Sequence, residues 1–134
     1  QEIINLERES KLEDLDLDIY LGLQKSAINV KHQLLRFLID EKDKGRKVSG
    51  YGAAAKGNTL LNYAGVGKDL IMNIADNATS KQGLFAPGSH IPIVKPSFLN
   101  SDTVLVLPWN LIKELKPKIN NMKIVTVIPS LKVW

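Results

Sequence analysis

The stretch that decides how the chain folds is Lys47 to Gly57, KVSGYGAAAKG. A short run able to form a strand, Lys47 to Ser49, enters a cluster of small residues. It leaves into Asn58-Thr59-Leu60-Leu61-Asn62, which reads as a helix. The pattern is strand, tight turn, helix. Gly50, Gly52 and Ala55 fit the spacing G-x-G-x-x-G/A, in which glycine permits positive φ and missing side chains let backbone N–H groups approach a phosphate at a helix N-terminus. Gly52 and Gly57 also have the spacing of a P-loop, but Asn58 stands where that motif needs its phosphate-binding lysine, which argues against nucleoside triphosphate hydrolysis. A βα turn packed closely on its helix demands the same small residues, so the motif alone leaves phosphate binding and packing both open.

The whole chain sets bounds on these readings. With 134 residues it is about one domain, long enough to bury a core without covalent staples. It has no cysteine, which removes disulfides and thiolate metal sites, and its two histidines, His32 and His90, show no metal spacing. Nothing resembles a signal peptide, no apolar run approaches the roughly 18 residues of a membrane span, and a cytoplasmic location is expected. The chain begins at Gln1 without methionine, so a processed product or, in preference, a piece of something longer is expected. Charge is divided unevenly. Residues 1–46 carry 8 Lys or Arg against 10 Asp or Glu, a net −2, whereas residues 47–134 carry 10 against 4, a net +6. The glycine-rich half is therefore the anion-attracting half. It has no arginine beyond Arg46 and no arginine–aromatic clusters, so a phosphorylated small molecule suits it better than nucleic acid.

Taken in order, Ile3, Ile4 and Leu6 open a short amphipathic piece ending near Ser10, and the acidic run Glu13 to Asp18 is expected to be a turn or helix start. A helix is then expected from about Asp18 to Lys44. Tyr20, Leu23, Ala27, Val30, Leu34 and Phe37 recur at steps of three and four and form its core face, with His32 off the stripe and solvent-facing. Asp40 to Lys47, containing Gly45, is the C-terminus of that helix. Gly65 and Gly67 stop the next helix, and Leu70 to Ala75 is an apolar run of strand length ending in Asp76. Asp76 lies 24 residues after Gly52, near where dinucleotide folds place an acid for ribose hydroxyls, although an Asp at a strand end also commonly caps a turn. Asn77 to His90 is a long loop, of a length usually associated with function. Ile91 to Val94 is a short strand that Pro92 confines to a sheet edge. Pro96 to Asn100 is one helical turn, Thr103 to Leu107 a buried strand, Pro108-Trp109-Asn110 the start of a helix reaching about Lys116, and Met122 to Ile128 the last strand. Strands alternating with helices predict an α/β, Rossmann-like three-layer domain with a mostly parallel sheet over residues 47–134, preceded by N-terminal helices in 1–46 that pack on it. Ligands of such sheets bind at the carboxyl ends of the strands.

Three segments together carry a resemblance: GYGAAAKGNTLLNYAGVG, IADNATSKQGLFAPGSHIPI and VLVLPWNL. They resemble the C-terminal domain of S-adenosylmethionine-dependent sugar C-methyltransferases, enzymes that methylate nucleotide-linked deoxysugars, and the likeness extends through the leading helices to the closing IPSLKVW. The middle loop departs from the family pattern at Ala78-Thr79-Ser80, where a run containing Pro and His is more usual. The resemblance implies a three-part enzyme with a zinc domain, a central methyltransferase domain holding S-adenosylmethionine, and this third part helping to bind a nucleotide-diphosphate sugar. It implies no catalytic residue here, no metal and no cofactor held by this part, so the chain alone is expected to be inactive. Its partners would be the nucleotide-sugar and the central domain, not nucleic acid or membrane. Residue by residue, Tyr51, Gly52, Ala53, Ala54, Lys56, Gly57 and Asn58 would wrap the diphosphate or nucleoside, with Lys56 as counter-charge. Asp76, Lys81, His90, Trp109 and Asn110 would line the same edge. The competing reading is a stand-alone Rossmann module binding NAD or another nucleotide; a purely supporting domain is a third.

Overall fold

The computed structural model describes the backbone of residues 2–108, 111–119, 121–128 and 130–134, and side chains within these ranges at residue 22 and from residue 24 onward. The chain runs through α1 (Glu2–Asp43), β1 (Val48–Tyr51), α2 (Ala55–Ala64), β2 (Ile74–Ala75), β3 (Ile93–Val94), a 3₁₀ turn (Pro96–Phe98), β4 (Thr103–Val106), α3 (Ile112–Leu115), a second 3₁₀ turn (Lys116–Lys118), β5 (Lys123–Thr126) and β6 (Lys132–Val133). The six strands form one sheet in the order β3-β2-β1-β4-β5-β6. The first five are parallel and only β6 runs antiparallel, to β5. The chain leaves β1 toward β2 on one side and later returns to β4 on the other, so strand order reverses between β1 and β4. In open α/β sheets that reversal opens a crevice at the carboxyl ends of the strands.

Alternation along the strands separates two cores, as a period of two requires. Val48, Ile74, Ile93, Leu105 and Val125 face one way, into a cluster with Leu34 and Leu38 of α1 and Leu61 and Ala64 of α2. Tyr51, Ala75, Val104, Val106 and Ile124 face the other, against Ile112, Leu115 and Ile119. The result is the expected three-layer α/β arrangement. β3 forms a sheet edge, as Pro92 required, and Pro92 still contributes its carbonyl to the Ile74 N–H at 2.9 Å.

Glycine ends both long helices in the same way. Gly65 has φ of 72°, its N–H bonds the Asn62 carbonyl, and Val66 N–H reaches back to Leu61, which satisfies carbonyls the helix would leave orphaned. Gly45, also with φ of 72°, repeats the arrangement with Lys42, while Arg46 N–H bonds Glu41.

Four expectations change. Glu13 to Asp18 is neither a turn nor a helix start, and α1 is one helix from Glu2 to Asp43. The acidic run contains no glycine or proline, and mid-helix Asp costs only a few tenths of a kcal/mol. Of the expected core stripe, Leu34 is buried, Val30 and Phe37 are half-buried and Ala27 is exposed; Tyr20 and Leu23 lie outside the described side chains. His32 is exposed, as expected. The strand expected from Leu70 shortens to Ile74–Ala75, because Leu70 and Ile71 N–H groups turn back to the Gly67 carbonyl while Ile71 is still fully buried. Finally, Lys132–Val133 adds an unexpected edge strand, tied down by Trp134 Nε1 donating to Thr126 Oγ1 at 2.9 Å. Among the described residues no helix is long and apolar enough to cross a membrane, and no three His, Asp or Glu side chains gather as metal ligands.

Candidate ligand crevice at the carboxyl ends of β1 and β4

β1 ends at Tyr51 and the chain turns at Gly52, whose φ of 93° is a conformation that side chains other than glycine's rarely adopt. A Cβ on Gly52 would meet Cδ and Cγ of Pro108 at 2.5 and 2.7 Å. A Cβ on Gly57 would lie 2.9 Å from the Cβ of Leu107. Two of the small residues in the motif are therefore required by packing of the turn and of α2 against the end of β4. The packing explanation left open by the motif accounts for both positions.

Beyond that packing a cavity of about 620 Å³ opens, lined by Ala54, Ala55, Lys56, Gly57, Leu60, Leu107, Pro108 and Ile128. It lies where the strand order reverses, with the start of α2 on one side and the residues following β4 and β5 on the other. Ala54, the residue before α2, is in extended conformation, and the helix has no side-chain cap and no acid in its first turn. Its leading N–H groups therefore carry the partial positive charge of a helix N-terminus beside the cavity, with exposed Lys56 at the rim. Leu60, Leu107, Pro108 and Ile128 supply an apolar wall that was not among the expected contacts. The signal for it was present, since Leu107-Pro108 and Ile128 come within two residues of the ends of parallel strands.

The remaining expected residues divide among several places. Tyr51 and Ala53 are buried behind the turn. Burial pushes the Tyr51 phenol above its ordinary pKa of 10, with the Asp76 charge acting the same way and a hydrogen bond with Asn77 acting against it. It is thus protonated at neutral pH and unsuited to act as a base. Asn58 is half-buried, and its Oδ1 is buried without a hydrogen-bond partner among the described residues. Asp76 stands at the end of β2 with both oxygens engaged: Oδ2 accepts the Ala53 N–H and Oδ1 the Ala78 N–H, each at 2.8 Å. Lys81 Nζ donates to the Ala53 carbonyl at 3.2 Å and stands 4.0 Å from Asp76 Oδ2. A dinucleotide or adenosyl cofactor at such a turn takes its ribose hydroxyls on a carboxylate at this position. Here that carboxylate is turned inward on the protein's own amides. The residues present do not fit S-adenosylmethionine or NAD in that mode, and no step through either is assigned to this chain.

His90 does not join the edge on which it was expected. It precedes β3 in a segment that folds onto the C-terminal end of α2, where Asn62 Nδ2 donates to the Pro87 carbonyl at 3.0 Å, so it belongs to the amino-terminal end of the sheet. Its φ is 58°, a positive value at a residue other than glycine, and its N–H is held by the Ala86 carbonyl at 3.0 Å. A loop that leaves β2 at the top and enters the parallel β3 from the bottom must cross the sheet's length, and His90 comes after that crossing. Trp109 and Asn110 lie outside the described residues.

Comparison with known proteins agrees with the resemblance seen in the sequence. A family model described as the C-methyltransferase C-terminal domain matches residues 1–129. The C-methyltransferase NovU of Streptomyces niveus is 40% identical over 74 residues, which take in 53% of this chain and 18% of that protein. The match thus spans less than a fifth of that relative's length.

Proposed function

Because the chain belongs to the C-methyltransferase C-terminal domain family, we propose that it is the substrate-holding part of an S-adenosylmethionine-dependent, cytoplasmic C-methyltransferase acting on a carbon of a nucleotide-linked keto-deoxysugar. The observation that carries this reading is the 620 Å³ crevice, with an uncapped helix N-terminus and Lys56 on one side and an apolar wall on the other. The diphosphate would take the positive side and the nucleoside or deoxysugar the apolar side. The net +6 of residues 47–134 favours the same anionic ligand. In this reading the methyl donor and the catalytic groups belong to the central domain, and the chain alone transfers no methyl group. Binding energy from the nucleotide handle would orient the reacting carbon, which is how a domain without catalytic groups raises the rate.

The test is calorimetric titration of the 134-residue chain with uridine diphosphate, thymidine diphosphate, their hexose conjugates and NAD. Binding of the diphosphates or conjugates but not NAD is expected. Lys56→Ala should weaken that binding about tenfold, or about 1.4 kcal/mol, and flatten its salt dependence while leaving the unfolding midpoint unchanged. Affinity and salt dependence equal to wild type would make Lys56 a solvated surface charge and remove the positive side of the proposed crevice. Preference for NAD would favour the nucleotide-module reading instead.

A further inference from the structure

Ala53, the residue after the glycine of the turn, has both of its backbone polar groups held by side chains from one distant segment. Its N–H goes to Asp76 and its carbonyl to Lys81, and the two charged groups also face each other at 4.0 Å. The segment is itself tied down: Asp76 bonds the Ala78 N–H, Gln82 Nε2 donates to the Asp76 carbonyl at 2.8 Å, and Gly83 N–H bonds the Ile93 carbonyl at 2.9 Å. Ala53 is buried, so its peptide groups must be paired, yet neither belongs to the sheet or to α2. On the opposite side of Gly52, its N–H pairs with the Ala75 carbonyl at 2.8 Å and so continues the sheet. Among the described residues, the charged side chains bonded to the backbone between β1 and α2 are Asp76 and Lys81.

We propose that Asp76 and Lys81 are positioning residues, a two-sided latch on the Ala53 peptide groups that sets the angle at which the α2 N-terminus faces the crevice. They act through the turn and not by touching ligand. The 76–82 segment thereby becomes the mount of the crevice. The latch itself stands on geometry alone; its effect on ligand affinity rests on the functional reading above.

The experiment uses the 134-residue chain and reads two quantities. The first is amide hydrogen exchange at Ala53 and Asn58, whose N–H groups are held by Asp76 and by the Ala54 carbonyl, read by NMR with the amides of Leu105 and Val125 as internal controls. The second is affinity for uridine and thymidine diphosphates. In Lys81→Met and Asp76→Asn, exchange at Ala53 and Asn58 is expected to rise at least tenfold with the control amides unchanged. Diphosphate affinity should fall in step, and Lys81→Arg should restore both. Unchanged exchange in both variants would overturn the latch. Loss of affinity in Lys81→Met with unchanged exchange would overturn it too, by making the lysine a direct ligand contact. If wild type binds no diphosphate, the functional reading fails while exchange still decides the latch. The lysine is half-exposed, so Lys81→Met tests the idea even if Asp76→Asn fails to fold.

Discussion

Gly52→Val should lower the stability of the domain by at least about 3 kcal/mol, because two separate penalties fall on one position. The backbone at φ of 93° disfavours any side chain, and a Cβ would lie 2.5 Å from the Cδ of Pro108, far inside any tolerable contact. Neither can be relieved cheaply. The Pro108 ring has no flexible end to swing aside, and Gly52 is held from behind by the Ala75 carbonyl. Gly83 provides the control, for its φ is 84° but nothing lies within 4 Å of where its Cβ would be. Gly83→Ala should cost only the conformational penalty, roughly 1–2 kcal/mol. At about 4 °C or less per kcal/mol for a chain of this size, Gly52→Val should melt about 10 °C below wild type and Gly83→Ala about half as much below it. A wild-type melting temperature for Gly52→Val, with ligand affinity lost, would show that the glycine is kept for ligand approach and that Pro108 yields.

What the sequence revealed and what it concealed follow from the range of the interactions concerned. The turn at Gly52, the stop at Gly65 and the buried strand near Thr103 to Leu107 were legible because each depends on neighbours in the chain: a positive φ, a helix end, a run of apolar residues. The outcome of Leu70 to Ala75 was not legible. Apolar residues leave the same pattern whether they enter a ladder or a turn packed on the core, and the choice was made by the Gly67 carbonyl. β6 was hidden for a related reason, since two exposed residues at a sheet edge carry no hydrophobic signature and are held by Trp134 against β5. The candidate site was legible at the level of segments, since the glycine turn and the end of β4 do meet. It was not legible at the level of contacts. That Asp76 turns inward to Ala53, that Gly57 faces Leu107, and that His90 emerges at the other end of the sheet are all consequences of strand order.

A strong side-chain dependence lies away from the crevice, at Glu41 near the end of α1. Its carboxylate is 2% exposed. Oε1 accepts from Lys123 Nζ at 2.8 Å and from Arg46 at 3.3 Å, and Oε2 accepts from Thr103 Oγ1 at 2.9 Å. One side chain thus joins the helix to the first residues of β4 and β5. Removing one partner of a buried ion pair generally costs 3–5 kcal/mol, because the other charge stays behind unpaired. Lys123 is about a third exposed and rests over the Phe37 ring, so Glu41→Ala should fall at the lower end, about 3 kcal/mol in urea unfolding at pH 7. Burial acts to raise the Glu41 pKa, but the hydrogen bonds from Lys123 and Thr103 and the charges of Lys123 and Arg46 outweigh it and hold the carboxyl below its ordinary 4.5. With the folded-state pKa depressed, the unfolded chain takes up the proton first as pH falls. The stabilisation is complete above about pH 5 and drains away from 4.5 downward through the folded-state value. Glu41→Gln cannot titrate, so the gap between wild type and this variant should be constant above pH 5 and close as the pH drops toward 3. Combining Glu41→Ala with Lys123→Met should cost clearly less than the sum of the two single changes, since either one alone already removes the pair. Additive costs, or pH curves for wild type and Glu41→Gln that stay parallel down to pH 3, would mean that α1 is held to the sheet by Leu34 and Leu38 and that the buried carboxylate contributes nothing to the attachment.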